Sequence, residues 1–205
     1  PVNLLISNTM KKPILIKKDF NMLIVGTGGQ GLITLLKIIS EAAMQEGKEI
    51  KTSELHGLSQ RGGSVQVHIR FGDQIYSPLI EKQKADLVLA LEEQEVLNGV
   101  YFAQSQTNFL INQFVIPIPF QKAKTEEEIK KELAKISKNI ILIPADKICK
   151  EKLGNSLVSG IYLIGLAVFQ GLIPLKPESI KTAIKKIIPE QYLELNEKAF
   201  DLAKN

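Results

Sequence analysis

The chain is poor in the residue types that bind metals and clusters. It has one cysteine, Cys149, and two histidines among 205 residues. A single cysteine forms no intramolecular disulfide, and it supplies only one of the four thiolates that an iron–sulfur cluster requires. One cysteine and two histidines are also too few for a typical zinc site. We therefore predict no metal site in this chain, and we expect Cys149, which has no histidine near it in the sequence, to be a buried structural thiol.

A strong charge excess and a long uninterrupted apolar run are also missing. The net charge is +4, and residues 1–20, with four lysines against one aspartate, account for +3 of it. No basic stripe interleaved with aromatic residues follows, so we predict no nucleic-acid binding. The uncharged stretch 153–175 is interrupted by glycines, an asparagine and a proline. We predict a helix buried in the domain or against a partner there, rather than a membrane span.

What the chain does contain is an alternation of strand and helix patterns, over a length that fits one domain. The apolar run 22–25 leads into a glycine turn. The residues that follow predict a helix ending at Gly47, with its apolar positions at helical spacing: Leu32, Leu35, Leu36, Ile39 and Ala43. A second strand is predicted at 48–55. We predict a single three-layer α/β/α domain over residues 22–205, preceded by a basic N-terminal extension, residues 1–21.

A strand with two different faces is predicted near residues 64–71. Apolar side chains at positions 65, 67, 69 and 71 alternate with polar ones at 64, 66, 68 and 70, which is the period of a half-buried strand. The Gly72–Asp73 pair predicts a hairpin turn, with residues 74–80 returning as the next strand. Because such a β-ribbon is unusual in a purely parallel sheet, we predict a mixed, mostly parallel sheet that includes a β-ribbon.

The second half of the chain supplies further elements. A buried strand running into a short acidic helix is predicted at 85–99. Another strand is predicted within 107–119, where Pro117 and Pro119 favour an edge of the sheet or a chain crossing. Thr125 and Glu128 have the spacing of a capping box and predict a surface helix. A strand at 139–145 and helices at 156–171 and 178–187 complete the pattern.

The turn after the first strand has the spacing G-x-G-x-x-G. Gly26, Gly28 and Gly31 provide the three glycines, with an additional Gly29, and a helix follows. Backbone N–H groups at such a helix start can hold a phosphate or a carboxylate. Glu54 would be the ribose-binding acid of a dinucleotide site, although it lies 28 residues beyond Gly26 instead of about 20. The alternatives are anion binding, dinucleotide binding, and a tight turn with no ligand.

Both arginines and both histidines lie in one stretch, TSELHGLSQRGGSVQVHIRFG, at residues 52–72. Glycine lets a backbone approach a ligand or another chain closely, and arginine gives planar, bidentate recognition of phosphate or carboxylate. We therefore predict a ligand or interface site at residues 56–63. His68 and Arg70 are weaker candidates, since the polar face of any half-exposed strand carries such residues. No nucleophile–base pair is evident, so we do not expect the chain to perform chemistry alone.

Several segments of the chain together resemble one known family. In sequence order they are LIVGTGGQG, KTSELHGLSQRGGSVQVHIRFG, YSPLI and ADLVLALEEQE, followed by GNSLVSGIYLIGLAVFQGLIPL. They resemble the γ-type subunit of the 2-oxoacid:ferredoxin oxidoreductases, from about Met22 to the end of the chain. The short, stand-alone length is most similar to subunit β of indolepyruvate ferredoxin oxidoreductase. The corresponding subunits of the pyruvate and 2-oxoglutarate enzymes remain alternatives.

The resemblance implies a role in a larger enzyme. Such a complex oxidatively decarboxylates a 2-oxoacid to an acyl-CoA and CO₂ and reduces ferredoxin. It implies thiamine diphosphate, Mg and 4Fe-4S clusters on larger partner subunits, coenzyme A as co-substrate, and no cofactor held by this chain alone. It also implies a cytoplasmic, heteromeric enzyme in which this chain is an accessory subunit, inactive by itself, with ferredoxin as a partner of the whole complex and no membrane partner.

The resemblance also assigns a set of residues to ligand positioning and to the contact with a partner subunit. These are Gly26, Gly28, Gly29, Gln30, Gly31, Thr52, Ser53, Glu54, His56, Gly57, Ser59, Gln60, Arg61, Gly62, Gly63 and Ser64. Glu54 and His56 are the candidates for a catalytic role, and nothing in the sequence favours one over the other. Two competing hypotheses are a stand-alone dinucleotide-binding oxidoreductase that uses the glycine turn and Glu54, and a ligand sensor or assembly factor without enzymatic activity.

Overall fold

The chain folds around one six-stranded mixed sheet. The structure is a computed structural model, and it describes residues 19–57, 63–117 and 123–204. The strand order is β2-β3-β1-β4-β5-β6. The strands are β1 (Asp19–Thr27), β2 (Glu49–His56), β3 (Ser64–Gly72), β4 (Leu87–Ala90), β5 (Asn108–Asn112) and β6 (Ile140–Ile143). Strands β1, β4, β5 and β6 are parallel, whereas β3 is antiparallel to both of its neighbours. The prediction of a mixed, mostly parallel sheet with a β-ribbon is confirmed.

Helices cover both faces of the sheet. They are α1 (Leu32–Gln45), a 3-10 helix (Gln94–Phe102), α2 (Glu126–Ala134), α3 (Ala145–Leu153), α4 (Ser159–Phe169), α5 (Pro177–Ile187) and α6 (Glu190–Leu202). Helices α1 and α3–α6 enclose one apolar core with the first face of the sheet. The 3-10 helix and α2 enclose a second core with the other face. This confirms the three-layer architecture, although neither α3 nor α6 was predicted as a helix.

The helices with clear local signals form where the sequence predicts them. All five apolar positions predicted for the first helix are buried in α1, and Gly47 beyond it has a φ of 71°, a left-handed conformation that glycine adopts without strain. At the start of α2, the Thr125 side chain accepts a hydrogen bond from Glu128 N at 3.2 Å, and the Glu128 carboxylate accepts one from Thr125 N at 2.7 Å. The predicted capping box is therefore present.

One strand prediction is wrong, and one of the two alternatives for another strand is excluded. Residues 74–80 form no strand, because β3 pairs with β1 on one side and with β2 on the other, which leaves no free edge for a returning strand. The antiparallel ribbon is made by β2 and β3 instead. Strand β5 lies between β4 and β6 and is not an edge strand. Pro117 follows the strand, in the connection that leaves the sheet, so it removes no hydrogen bond from the ladder.

The uncharged stretch near the C-terminus forms an internal helix, as predicted. Residues 160–168 of α4 are all buried. The helix packs closely on α6, since a Cβ at Gly165 would lie 2.8 Å from Phe200 O and 2.9 Å from Ala203 Cβ. Across residues 19–57, 63–117 and 123–204, no helix is both long enough and apolar enough to cross a bilayer.

The close approach of α4 and α6 predicts a position-specific effect. Gly165→Ala should destabilise the protein by about 1–3 kcal/mol, because the added methyl group overlaps backbone that cannot move away. Gly160→Ala in the same helix is the control, since its Cβ would meet only the end of the Leu35 side chain at 3.0 Å. Urea denaturation measures both variants. Equal midpoints for the two would contradict the packing described here.

Candidate functional site

The sequence motifs meet at one edge of the sheet. Ligands of open α/β sheets bind outside the carboxyl ends of the parallel strands. At this edge β1 ends at Thr27, β4 at Ala90 and β5 at Asn112. Strand β2 also ends here, because His56 is opposite Val65 and Val65 is opposite Gly26 in the two registers.

The glycine turn is braced from inside by Gln30. The Gln30 side chain accepts a hydrogen bond from Thr27 N at 2.8 Å and donates one to Leu91 O at 3.2 Å. A Cβ at Gly26 would lie 2.7 Å from Gln30 Oε1 and would displace this side chain from its hydrogen bonds. The φ values of Gly29 and Gly31 are 103° and 80°, in the region that favours glycine. Gln30 therefore holds the turn against the chain that follows β4.

The glycine turn and the arginine-containing loop are joined by their backbones. Gly28 N donates a hydrogen bond to Gly63 O at 3.0 Å, and Gly57 N donates one to Ser64 O, also at 3.0 Å. Both ends of the loop are thus held beside the turn. The predicted site residues Ser59, Gln60, Arg61 and Gly62 lie outside the described residues.

Glu54 and His56 lie on the face of β2 that carries α1. Glu54 Oε2 and His56 Nε2 are 3.4 Å apart, and their side chains are 37% and 56% exposed. An exposed pair of this kind contributes little to stability. Thr52 lies on the same face and is exposed, whereas Ser53 lies on the opposite face.

The topology contradicts one interpretation of Glu54. A dinucleotide fold places the second strand parallel and next to the first. Here β3 lies between β1 and β2, which puts Glu54 two strand spacings, about 10 Å, from β1. The proposed ribose-binding role of Glu54 therefore has no geometric support.

A polar cluster that the sequence did not indicate joins β3 to the 3-10 helix. Ser64 Oγ donates a hydrogen bond to Glu95 Oε2 at 2.6 Å. Asn98 Nδ2 donates to the same Glu95 oxygen at 2.7 Å and to Ser64 Oγ at 3.1 Å. Thr27 is opposite Ser64 in the register, so its side chain lies on the same face. The Thr27 hydroxyl is buried and has no hydrogen-bond partner in the described part of the chain.

Two consecutive carboxylates, Glu92 and Glu93, are buried just after β4. They are 2% and 6% exposed. Glu92 accepts hydrogen bonds from Glu95 N at 2.9 Å and from Ile116 N at 3.1 Å. Burial raises the pKa of Glu92, and burial together with the nearby charges of Glu126 and Glu92 raises the pKa of Glu93. Acidic residues directly after a short apolar strand, at the edge where ligands bind, are the signal that could have identified them.

Asn112 closes the other side of this edge. Its Nδ2 donates hydrogen bonds to Leu91 O at 3.1 Å and to Asp146 Oδ1 at 2.6 Å, and its Oδ1 accepts one from Ala145 N at 3.0 Å. These bonds tie the ends of β4 and β5 to the start of α3. Together with Gln30, Asn112 fixes Leu91 O from two sides.

His68 and Arg70 have structural roles away from this edge. His68 is 1% exposed, and its Nδ1 accepts a hydrogen bond from Ile80 N at 3.2 Å. Burial lowers the pKa of His68. Arg70 Nε donates to Asn21 Oδ1 at 2.9 Å, and its Nη1 donates to Ser77 O at 3.0 Å. Of the polar residues on this face of β3, His68 is buried, whereas Ser64, Gln66 and Arg70 are partly exposed, so the face is covered only in part.

The site as described contains no complete metal centre. Within residues 19–57, 63–117 and 123–204, no group of three or more His, Cys, Asp or Glu side chains is placed to hold a metal ion. Cys149 is fully buried in α3, and burial, with a smaller effect of Asp146, raises its pKa to about 11. The prediction of a buried structural thiol is confirmed.

The chain belongs to the pyruvate ferredoxin/flavodoxin oxidoreductase family, whose model matches residues 21–205. It is 36% identical to indolepyruvate oxidoreductase subunit IorB of Archaeoglobus fulgidus over 190 residues, which cover 90% of this chain and 94% of that protein. It is 32% identical to the pyruvate/ketoisovalerate oxidoreductases common subunit gamma of Pyrococcus abyssi over 181 residues, 85% of this chain and 89% of that protein. These similarities confirm the resemblance found in the sequence.

A solved structure has the same fold within a longer chain. It is the 2-oxoglutarate:ferredoxin oxidoreductase from Magnetococcus marinus, with 2-oxoglutarate, coenzyme A and succinyl-CoA bound. The TM-score is 0.70 at 18% identity, and the match covers 92% of this chain and 31% of that chain. The fold of this chain is therefore found both as a separate polypeptide and as part of a larger one.

The buried carboxylate of Glu93 predicts a pH-dependent effect on stability. Because the folded-state pKa of Glu93 is raised above its ordinary value of 4.5, its ionisation opposes folding once the pH rises above that value. Glu93→Gln should therefore be more stable than the unaltered chain at pH 7, and the difference should shrink below pH 4.5. Urea midpoints measured between pH 4 and pH 8 test this, with the exposed Glu81→Gln as the control. The quantity to compare is the urea midpoint of Glu93→Gln minus that of the unaltered chain. If this difference were smaller at pH 7 than at pH 4, the linkage would have the opposite sign.

Proposed function

We propose that this chain is the accessory subunit of a 2-oxoacid:ferredoxin oxidoreductase. The enzyme oxidatively decarboxylates a 2-oxoacid to an acyl-CoA and CO₂ while ferredoxin is reduced. The observation that carries the proposal is the bond from Gly28 N to Gly63 O. It joins the two motifs on which the family resemblance depends into one surface at the ligand-binding edge of the sheet.

The finer proposal concerns the substrate. An aryl 2-oxoacid, as in indolepyruvate oxidoreductase, is favoured by the 36% identity to the Archaeoglobus fulgidus subunit. The second candidate is pyruvate, which the 32% identity to the pyruvate/ketoisovalerate common gamma subunit of Pyrococcus abyssi supports, or else 2-oxoglutarate. The side chain of the 2-oxoacid is recognised mainly by the subunit that binds thiamine, so both candidates use the same edge of this chain.

The role of this edge is to complete a site that a partner subunit begins. Coenzyme A and the diphosphate of thiamine diphosphate are polyanions, and the residues here suit one of them. The glycine turn opens α1 with backbone N–H groups, Arg61 offers a planar cation, and the buried Thr27 hydroxyl lacks a partner among the described residues. Glu54 and His56, exposed beside them, are the candidates for a catalytic contribution once a partner covers them.

The cofactors are assigned to larger subunits. Thiamine diphosphate with Mg stabilises the carbanion formed from the 2-oxoacid, and 4Fe-4S clusters carry electrons to ferredoxin. The only cysteine of this chain is buried, with its thiol pKa raised to about 11, so it is unsuited to bind a cluster. We propose a cytoplasmic enzyme whose partners are these larger subunits and, through the complex, ferredoxin, with neither nucleic acid nor membrane.

Reconstitution tests the proposal. The chain should co-purify with a larger thiamine- and cluster-binding subunit, and the complex should reduce ferredoxin when given CoA and a 2-oxoacid. A panel of indolepyruvate, pyruvate and 2-oxoglutarate separates the two substrate candidates by kcat/KM. The larger subunit alone should be much less active. Full activity without this chain, or micromolar binding of NADH by the isolated chain in isothermal titration, would contradict the proposal.

The proposed contact between Arg61 and CoA has its own test. Arg61→Ala in the reconstituted complex should raise the KM for CoA by about tenfold or more, because a hydrogen bond from a charged group contributes about 1.5–3 kcal/mol. The KM for the 2-oxoacid should change little. Lys147→Ala, an exposed cation of α3, is the matched control. An unchanged KM for CoA together with normal assembly would remove Arg61 from the site.

A further inference from the structure

A short segment crosses the outer part of the sheet without forming a strand. Residues 74–80, here called the strap, follow β3 and lie on the face of the sheet opposite α1. Ile75 N donates a hydrogen bond to Glu49 Oε2 at 3.2 Å, and Ile80 N donates one to His68 Nδ1 at the same distance. Ile75 and Ile80 are 1% and 3% exposed. The strap is therefore anchored at both ends by a buried isoleucine and a hydrogen bond to the ribbon.

Arg70 fixes the middle of the strap. Its Nη1 donates hydrogen bonds to Ser77 O at 3.0 Å and to Leu79 O at 3.4 Å, while its Nε donates to Asn21 Oδ1 on β1. Ser77 Oγ in turn accepts a hydrogen bond from Leu79 N at 3.3 Å. The guanidinium thus connects the strap to β1, and its planar set of donors suits this task better than a lysine would.

The strap holds two large apolar side chains out of the protein. Tyr76 is 80% exposed and Leu79 is 46% exposed. Tyr101, at the end of the 3-10 helix, is 59% exposed, and the Lys82 ammonium lies 5.6 Å from the centre of its ring. Large exposed apolar side chains on a backbone that is held by hydrogen bonds are typical of protein interfaces.

The exposed surface continues towards the candidate site. Leu55, 45% exposed, lies on the same face of the ribbon, since Ser53 is opposite His68 and Leu55 is opposite Gln66. Of the described helices, only α1 packs substantially on β2, and it does so from the other face. A protein that covers the strap and extends along this face of the ribbon would reach Leu55 near the end of β2.

We propose that Tyr76 and Leu79 are anchors that dock into an apolar recess on the larger subunit of the complex, and that His68 and Arg70 are positioning residues for this contact. The inference rests on the proposed function for the identity of the partner. Two observations favour this occupant. The exposed face extends along the ribbon from the strap to Leu55, next to the edge that a partner is needed to complete, and the same fold is found within a chain about three times as long in the Magnetococcus marinus enzyme, 31% of which it matches.

The first test removes the two anchors. Tyr76→Ala combined with Leu79→Ala should weaken the binding of the larger subunit by about 100-fold, as expected for the loss of two interface anchors. The melting temperature of the isolated variant should not change, because both side chains are exposed. Tyr192→Ala, a tyrosine of α6 that is 55% exposed, is the matched control and should bind normally. Binding is measured by isothermal titration of the two purified subunits.

The second test asks whether Arg70 acts through the strap. Arg70→Ala should weaken binding in the otherwise unaltered chain, and Arg70→Lys should restore part of the loss. In the Tyr76→Ala, Leu79→Ala background, Arg70→Ala should cause no further loss of affinity, because the anchors that it positions are gone. A general effect of Arg70 on folding would instead reduce the affinity equally in both backgrounds, and that result would reject the positioning role.

The outcomes separate this inference from the proposed function. Normal affinity of the double variant, in a complex that still oxidises 2-oxoacids, would overturn the inference and leave the proposed function intact. Failure of the unaltered chain to bind any larger subunit would overturn both. Self-association of the isolated chain that the double variant abolishes, with normal binding to the larger subunit, would show that a second copy occupies the strap and would also overturn the inference.

Discussion

The pairing of β3 with both β1 and β2 is the constraint on which the rest of the structure depends. Strand β3 is antiparallel to both neighbours. This pairing places the glycine turn, Ser64 and His56 at one edge of the sheet. The strap then covers part of one face of β3, where His68 and Arg70 bond to its backbone. In a purely parallel arrangement, Glu54 would lie beside the glycine turn as in a dinucleotide fold. With β3 inserted, that position is taken by the start of the ribbon.

Around this edge, side-chain amides and carboxylates form hydrogen bonds with backbone groups that have no partner in a helix or strand. Gln30 and Asn112 both donate to Leu91 O, and Glu92 accepts from two backbone N–H groups. Buried polar groups that are satisfied in this way hold irregular backbone rigidly. Burial also disfavours the ionised carboxylates. The pKa values of Glu92 and Glu93, which lie close together out of water, are therefore raised. The edge is therefore well ordered on the side of β4 and β5, and it is exposed on the side of β2, where Glu54 and His56 lie.

The parts of the fold that could be predicted are those with local causes. The spacing of apolar residues in α1, the capping box of α2 and the alternation along β3 depend on residues within one or two turns or strand repeats. The partner strands of β3 could not be predicted, because Gly72–Asp73 is a hairpin signal that non-local pairing overrides. The short helix α3 was missed because five of its nine residues are charged. In the site, glycines marked the turn correctly, and acidic residues after the apolar strand β4 could have marked Glu92. Asn112 and the strap depend on contacts between distant segments, which no local pattern indicates.

The central claim is that this chain contributes half of a site, which a larger subunit completes at the end of β2 and over the strap. Amide hydrogen exchange of the chain, alone and bound to the larger subunit, tests this most directly. We expect slower exchange on binding in residues 52–64 and 74–80, and unchanged exchange in α6, which lies on the other side of the sheet. Unchanged exchange in both of the first two segments, or slower exchange confined to α5 and α6, would contradict the account.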